Sequence, residues 1–208
     1  MVPVQSKIAQ EKISEEDYLE GELHSDIKHE YIDGEVYAMS GAKAAHNRIA
    51  GNIYRKFGNH LEGSPCEAFT SDMKVKTGSN YFYPDVLVDC SNLEDSGLFT
   101  ESPVILVEVL SRSTRKTDET IKRSAYLQIP TLQEYVLIEQ DLVDIEVVRK
   151  SEGWRSKRYF LGDEITFESI GLTLSVEEIY DRVKNTDMTE WLEMKAQQVL
   201  EEEQNTSD

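Results

Sequence analysis

The sequence predicts an α/β (α+β) domain built on a central mixed β-sheet flanked by helices. Three observations predict it. Val104-Ile105-Leu106-Val107-Glu108-Val109-Leu110 is a nearly continuous apolar run of strand length, which marks a strand covered on both faces. Residues 43–61 carry His46, Ile49, Ala50, Ile53, Phe57 and Leu61 at spacings of three and four, the stripe of an amphipathic helix. Helical and strand patterns alternate along the chain instead of segregating into halves.

Each element follows from local signals. Ser14 with Asp17 resembles a capping box and opens a short helix over 15–20. Residues 29–39 alternate about Asp33-Gly34, a two-residue hairpin signal. Ser40-Gly41 ends that hairpin, and Gly63-Ser64-Pro65 ends the long helix after it. Strands are expected near 66–76 and 81–90, on either side of Thr77-Gly78-Ser79-Asn80. After the apolar strand, Ser113 or Thr114 can cap a helix over 115–128, which Pro130 stops. Tyr135-Val136-Leu137-Ile138 is a second buried strand, and Val143 to Arg149 its hairpin partner. Short strands follow at 154–160 and 164–174. Ser175 caps a helix over 176–184, and Met188 to Gln204 forms a polar helix.

The 208 residues favour one domain: an arm over 1–13, a core over 14–186 and an acidic helical tail over 187–208. The net charge of -18 repels polyanions at long range, yet the charge is grouped. Residues 11–35 and 187–208 are strongly acidic, whereas 42–61 hold Lys43, Arg48, Arg55 and Lys56 and no acid. Two cysteines, Cys66 and Cys90, give no disulfide framework and no zinc spacing; reduced thiols in a cytoplasmic protein are expected, with a single bridge left open. No apolar run is long enough to span a membrane, and no signal-peptide core is present.

Glu108 is the most informative residue, a carboxylate inside an apolar strand. Burial of an unpaired charge there costs several kcal/mol, so a metal, a Lys or Arg partner, or the mouth of a cleft must offset it. Asp85 enters the preceding strand after Pro84, and two carboxylates on neighbouring strands can converge on one Mg²⁺. No GxSxG elbow, P-loop, dinucleotide fingerprint or HExxH motif is present.

Tyr83-Pro84-Asp85, Glu108-Val109-Leu110-Ser111, Asp118, Lys122, Tyr126 and Glu134-Tyr135, with Asp33-Gly34-Glu35-Val36-Tyr37, Met39-Ser40-Gly41 and His46 upstream, resemble the Uma-two family of restriction-endonuclease-like proteins, common in cyanobacteria. That family belongs to the PD-(D/E)XK superfamily. The resemblance spans about residues 14–184. It implies a restriction-endonuclease-like core and a Mg²⁺- or Mn²⁺-dependent endonuclease that hydrolyses DNA phosphodiesters. Asp85, Glu108 and the carbonyl of Val109 would hold the metal, with Glu35 as a further acid. Leu110 stands where the superfamily motif has Lys, and Lys122 on the following helix is the substitute the resemblance offers. A homodimer suits the cutting of two strands. Two other functions stay open: a catalytically inactive nuclease-like fold that binds protein or nucleic acid, which the acidic surface and Leu110 favour, and a metal-dependent hydrolase of a small phosphorylated substrate.

Overall fold

The computed structural model describes residues 12–205. Most of the arm expected over 1–13, and the last three residues of the tail, lie outside them. The main sheet has six strands: β3 (Glu67–Thr70), β6 (Val86–Asp89), β8 (Pro103–Leu110), β9 (Glu134–Glu139), β10 (Ile145–Arg149) and β11 (Ser156–Tyr159). Their order is β11-β10-β9-β8-β6-β3. It is mixed, because β8 and β9 run parallel while every other pair is antiparallel. A second sheet joins β1 (His29–Ile32), β2 (Glu35–Ala38), β4 (Lys74–Thr77), β5 (Asn80–Phe82) and β7 (Phe99–Thr100) in the order β2-β1-β5-β4-β7. A separate hairpin is made by β12 (Glu164–Phe167) and β13 (Leu172–Ser175).

Alternation along β8 divides the core. Ile105, Val107 and Val109 face the long helix α2 (Ala44–His60), which contributes Ile49, Ile53 and Phe57. Leu106 and Leu110 face the other way, against Tyr126 and Tyr135. That second side is covered by α3 (Arg115–Thr117), a π-helical turn (Asp118–Lys122) and α4 (Arg123–Tyr126), where one regular helix over 115–128 was expected. The remaining helices are α1 (Glu15–Leu23), α5 (Val176–Ile179) and α6 (Thr186–Asn205). Ser14 caps α1 by accepting the Asp17 N–H at 3.1 Å. Ser175 and Glu178 cap α5 reciprocally.

The β1–β2 turn is tight because Asp33 and Gly34 both have positive φ, 50° and 87°. The strands expected at 66–76 and 81–90 each divide between the two sheets, at Ser71-Asp72 and at Tyr83-Pro84-Asp85. Cys66 and Cys90 are disulfide-bonded, which corrects the expectation of reduced thiols. Register explains it: Glu67 pairs with Asp89, so Cys66 and Cys90 are the next facing positions along β3 and β6. Among the described residues no helix is long and apolar enough to cross a membrane.

Candidate active site

Val86 pairs with Val107 across antiparallel β6 and β8, so Asp85 and Glu108 occupy the next facing positions. Both Asp85 oxygens are held. Oδ2 accepts the Val109 N–H at 2.7 Å, and Oδ1 lies 2.8 Å from His46 Nε2 at the start of α2. The Val109 amide therefore faces Asp85. Glu108 projects to the α4 side, where its Oε1 accepts from Lys122 Nζ at 3.1 Å and from the Tyr126 hydroxyl at 3.0 Å.

Lys122 is buried, and three carboxylates surround its ammonium: Glu30 at 2.8 Å, Glu108 at 3.1 Å and Asp118 at 3.1 Å. The π-helical turn places Asp118 and Lys122 on the same inward side, while Glu119, Thr120 and Ile121 between them are exposed. Asp118 Oδ1 attracts the ammonium without hydrogen-bond geometry and has no other partner. Glu30, in the middle of the hairpin strand β1, also accepts the backbone N–H of Tyr83 at 3.2 Å.

Glu35, expected to supply the further acid, is elsewhere. It lies exposed on the edge strand β2, and its carboxylate accepts the Tyr37 hydroxyl at 2.6 Å. The hairpin acid that reaches Lys122 is Glu30, because β1 and not β2 lies inside the sheet. Asp72 is exposed and pairs with Lys28. Glu30 was missed because, unlike Glu108, it interrupts no apolar run in its four-residue strand. A four-residue strand in a hairpin does not reveal which of its two strands lies inside.

Burial drives the Glu108 carboxyl well above the usual range; Lys122 opposes, while Asp118, Asp85 and Glu30 push the same way as burial. Burial also works against the Lys122 charge, but Glu108, Glu30 and Asp118 outweigh it and hold the ammonium well above its ordinary value. Burial and the neighbouring Glu108 raise the Tyr126 hydroxyl.

Three carboxylates thus share Lys122, and Asp85 pairs with His46. Negative charge in excess, carried on hard oxygen donors, fits a divalent cation. Among the described residues no group of three His, Cys, Asp or Glu stands ready to hold a metal. Mg²⁺ needs only one or two protein carboxylates and keeps several waters. The Asp85 and His46 side chains are each 14% exposed, against 4% for Glu108 and for Lys122, so the cluster meets solvent at the Asp85 end. A cleft of about 630 Å³ between α6 and the β12–β13 hairpin, lined by Gly162, Asp163 and Trp191 among others, includes none of these acids.

Comparison with known proteins bears on the family and the fold. The model of the Uma2 family, described as "Putative restriction endonuclease", matches residues 15–177. The uncharacterized protein slr1290 of Synechocystis is 38% identical over 174 residues, covering 81% of this chain and 92% of that protein. A second uncharacterized Synechocystis protein, sll1609, is 35% identical over 139 residues, or 64% of this chain and 78% of that one. The crystal structure of "a putative nuclease belonging to DUF820" from Anabaena variabilis shares the fold, with a TM-score of 0.70 at 20% identity over 83% of this chain and 99% of that one.

Proposed function

The chain belongs to the Uma2 family, and from that premise we propose that it is a metal-dependent endonuclease that hydrolyses DNA phosphodiester bonds. The observation that supports the proposal is that Asp85 and Glu108 occupy facing positions on adjacent strands, with the buried ammonium of Lys122 against Glu108. Asp85, Glu108 and the carbonyl of Val109 are the groups that would hold Mg²⁺ or Mn²⁺. When bound, such an ion supplies Lewis-acid polarisation of a phosphate oxygen.

The protein's own groups set the geometry. His46 and the Val109 amide fix both oxygens of Asp85, so the carboxylate enters the reaction already oriented. Tyr126 and Lys122 fix Glu108 in the same way. Lys122 stays charged among the acids and takes the place that Leu110 vacates in the motif. Its three N–H donors face three carboxylates, so it orients a water only once one of them turns away. Cutting of both strands by one site each suits a homodimer.

A second reading, a nuclease-like fold that binds without cutting, draws support from that same saturation of Lys122 and from its burial. One experiment separates the two: supercoiled, linear and single-stranded DNA incubated with wild type and Asp85→Asn in Mg²⁺ or Mn²⁺, alongside calorimetry of metal binding. Cleavage by wild type alone supports the nuclease. Metal binding with no cleavage of any DNA supports the binding module, and absence of metal binding removes the nuclease reading.

A further inference from the structure

We propose that the outer face of α2 is the track along which the phosphate backbone of nucleic acid runs to the Asp85 end of the site. The inference rests on the nuclease reading above and adds to it a binding surface. In a chain of net charge -18, residues 42–61 contain four bases and no acid. Lys56 is engaged with Glu178. Lys43, Arg48 and Arg55 are exposed, and among the described residues their side chains form no ion pair or hydrogen bond. Ten other described bases have an acid within 4 Å. These three do not, and their charges are available to an outside anion.

Their placement follows from the helix. Arg48 and Arg55 are seven residues apart, on one face and about 10 Å apart along the axis. Tyr54, next to Arg55 in sequence and about 100° round the helix, is 41% exposed. Gly51 lies between the two arginines, and a Cβ there would meet nothing, so the backbone can be approached closely. Arginines with an exposed aromatic ring nearby match a polyphosphate strand whose bases can stack. Lys43 stands at the N-cap, three residues before His46, which touches Asp85. The helix thus carries positive charge from the open end of the site outward. The opposite face holds Ile49, Ile53 and Phe57 in the core, so the bases cannot turn inward. A second copy of this chain would bring a strongly acidic body to the face, whereas nucleic acid brings a regular row of phosphates, and the proximity to Asp85 favours the latter.

The test measures binding of a labelled duplex, and of a single strand of the same sequence, to the full chain in a chelator so that nothing is cut. Salt is varied between about 50 and 200 mM. Replacement of Lys43, Arg48 and Arg55 together by Gln is expected to weaken binding at least tenfold and to flatten the log–log salt slope by about 2–3, one phosphate contact per base lost. Arg155→Gln with Lys157→Gln, beside and on β11 at the other edge of the sheet, should leave both unchanged. Tyr54→Ala should weaken the single strand more than the duplex. Should the triple variant misfold, Arg55→Glu alone, at an exposed helical position, must reproduce the loss in part. An unaltered salt slope in the variants, with wild type binding and cleaving DNA, overturns the track and leaves the nuclease reading standing. Wild type that neither binds nor cleaves overturns both. Loss of self-association with DNA binding intact overturns the track and assigns the face to a second copy.

Discussion

His46 Nε2 and Asp85 Oδ1 stand 2.8 Å apart, joining the first turn of α2 to the entrance of β6. On the metal-dependent reading proposed above, a carboxylate that is to present itself to a cation is held better by two partners than by one, and the Val109 amide is the other. His46→Ala is therefore expected to lower cleavage by about 10–100-fold at limiting metal, as loss of a group that orients a metal ligand commonly does. The effect should fall mainly on the metal concentration that gives half-maximal rate. His46→Gln, which keeps a hydrogen-bonding group, should recover much of it. Initial rates against Mg²⁺ concentration decide; superimposable curves for wild type and His46→Ala would return His46 to a packing role.

How much of this was legible depends on where each signal resides. Glu108 announces itself because an acid interrupts seven residues of apolar strand, and Asp85 because it follows Pro84 at a strand entrance. Lys122 was reachable only through resemblance, since a helical Lys is ordinarily a surface charge; its burial depends on a π-helical turn that no periodicity announces. Glu30 was not legible. Pairing partners are set by tertiary contacts, so the hairpin pattern could not say that β1 lies inside and that Glu35 sits at the edge. The disulfide was hidden for the same reason, because the register of β3 against β6 is what brings Cys66 to Cys90.

The disulfide closes a loop between residues 24 apart in sequence. Constraint of the unfolded chain by a loop of that size is worth about 3 kcal/mol. Wild type unfolded without reductant should show no free thiol on titration. Its melting temperature should fall on reduction, and Cys66→Ser/Cys90→Ser should melt like the reduced form. Two titratable thiols in the purified protein would show that the bridge does not form where it is made, as a reducing compartment would ensure.

We place the end of the folded unit inside α6 rather than before it. Met188 is buried in the main core, and the Asp187 carboxylate accepts the Val143 N–H at 2.7 Å. Trp191 lies over Gly162, whose φ of 94° already favours glycine. Val199 and Leu200, by contrast, are more than half exposed. A chain ended after Lys195 should match wild type in thermal stability. One ended after Asn185 should lose about 3 kcal/mol, as expected for removal of a buried methionine together with its neighbours. Equal stability of both truncations would restore the boundary at 187. Loss of self-association in the longer one would make the distal turns of α6 an interface.

Glu108→Gln separates metal holding from mere charge pairing. The folded protein raises the Glu108 carboxyl by burial, reinforced by Asp118, Asp85 and Glu30, so the fold prefers this group protonated. Its contribution is then favourable below the unfolded value of about 4.3 and is lost as pH rises through the folded value. Without metal, Glu108→Gln should gain on wild type as pH rises through that window, by at most about 1.4 kcal/mol per pH unit. Gln still accepts from Tyr126 and Lys122, and Glu30 and Asp118 still hold the ammonium charged. Lys122→Met should do the reverse and cost about 3–5 kcal/mol at neutral pH, because it strands buried carboxylates without their cation. Added Mg²⁺ or Mn²⁺ should raise the melting temperature of wild type by mass action and leave Glu108→Gln unmoved. The measurement is a set of melts across pH with and without millimolar metal. A Glu108→Gln variant less stable than wild type at every pH, with no metal response in either protein, would mean that Glu108 serves as the counterion of Lys122 and holds no metal.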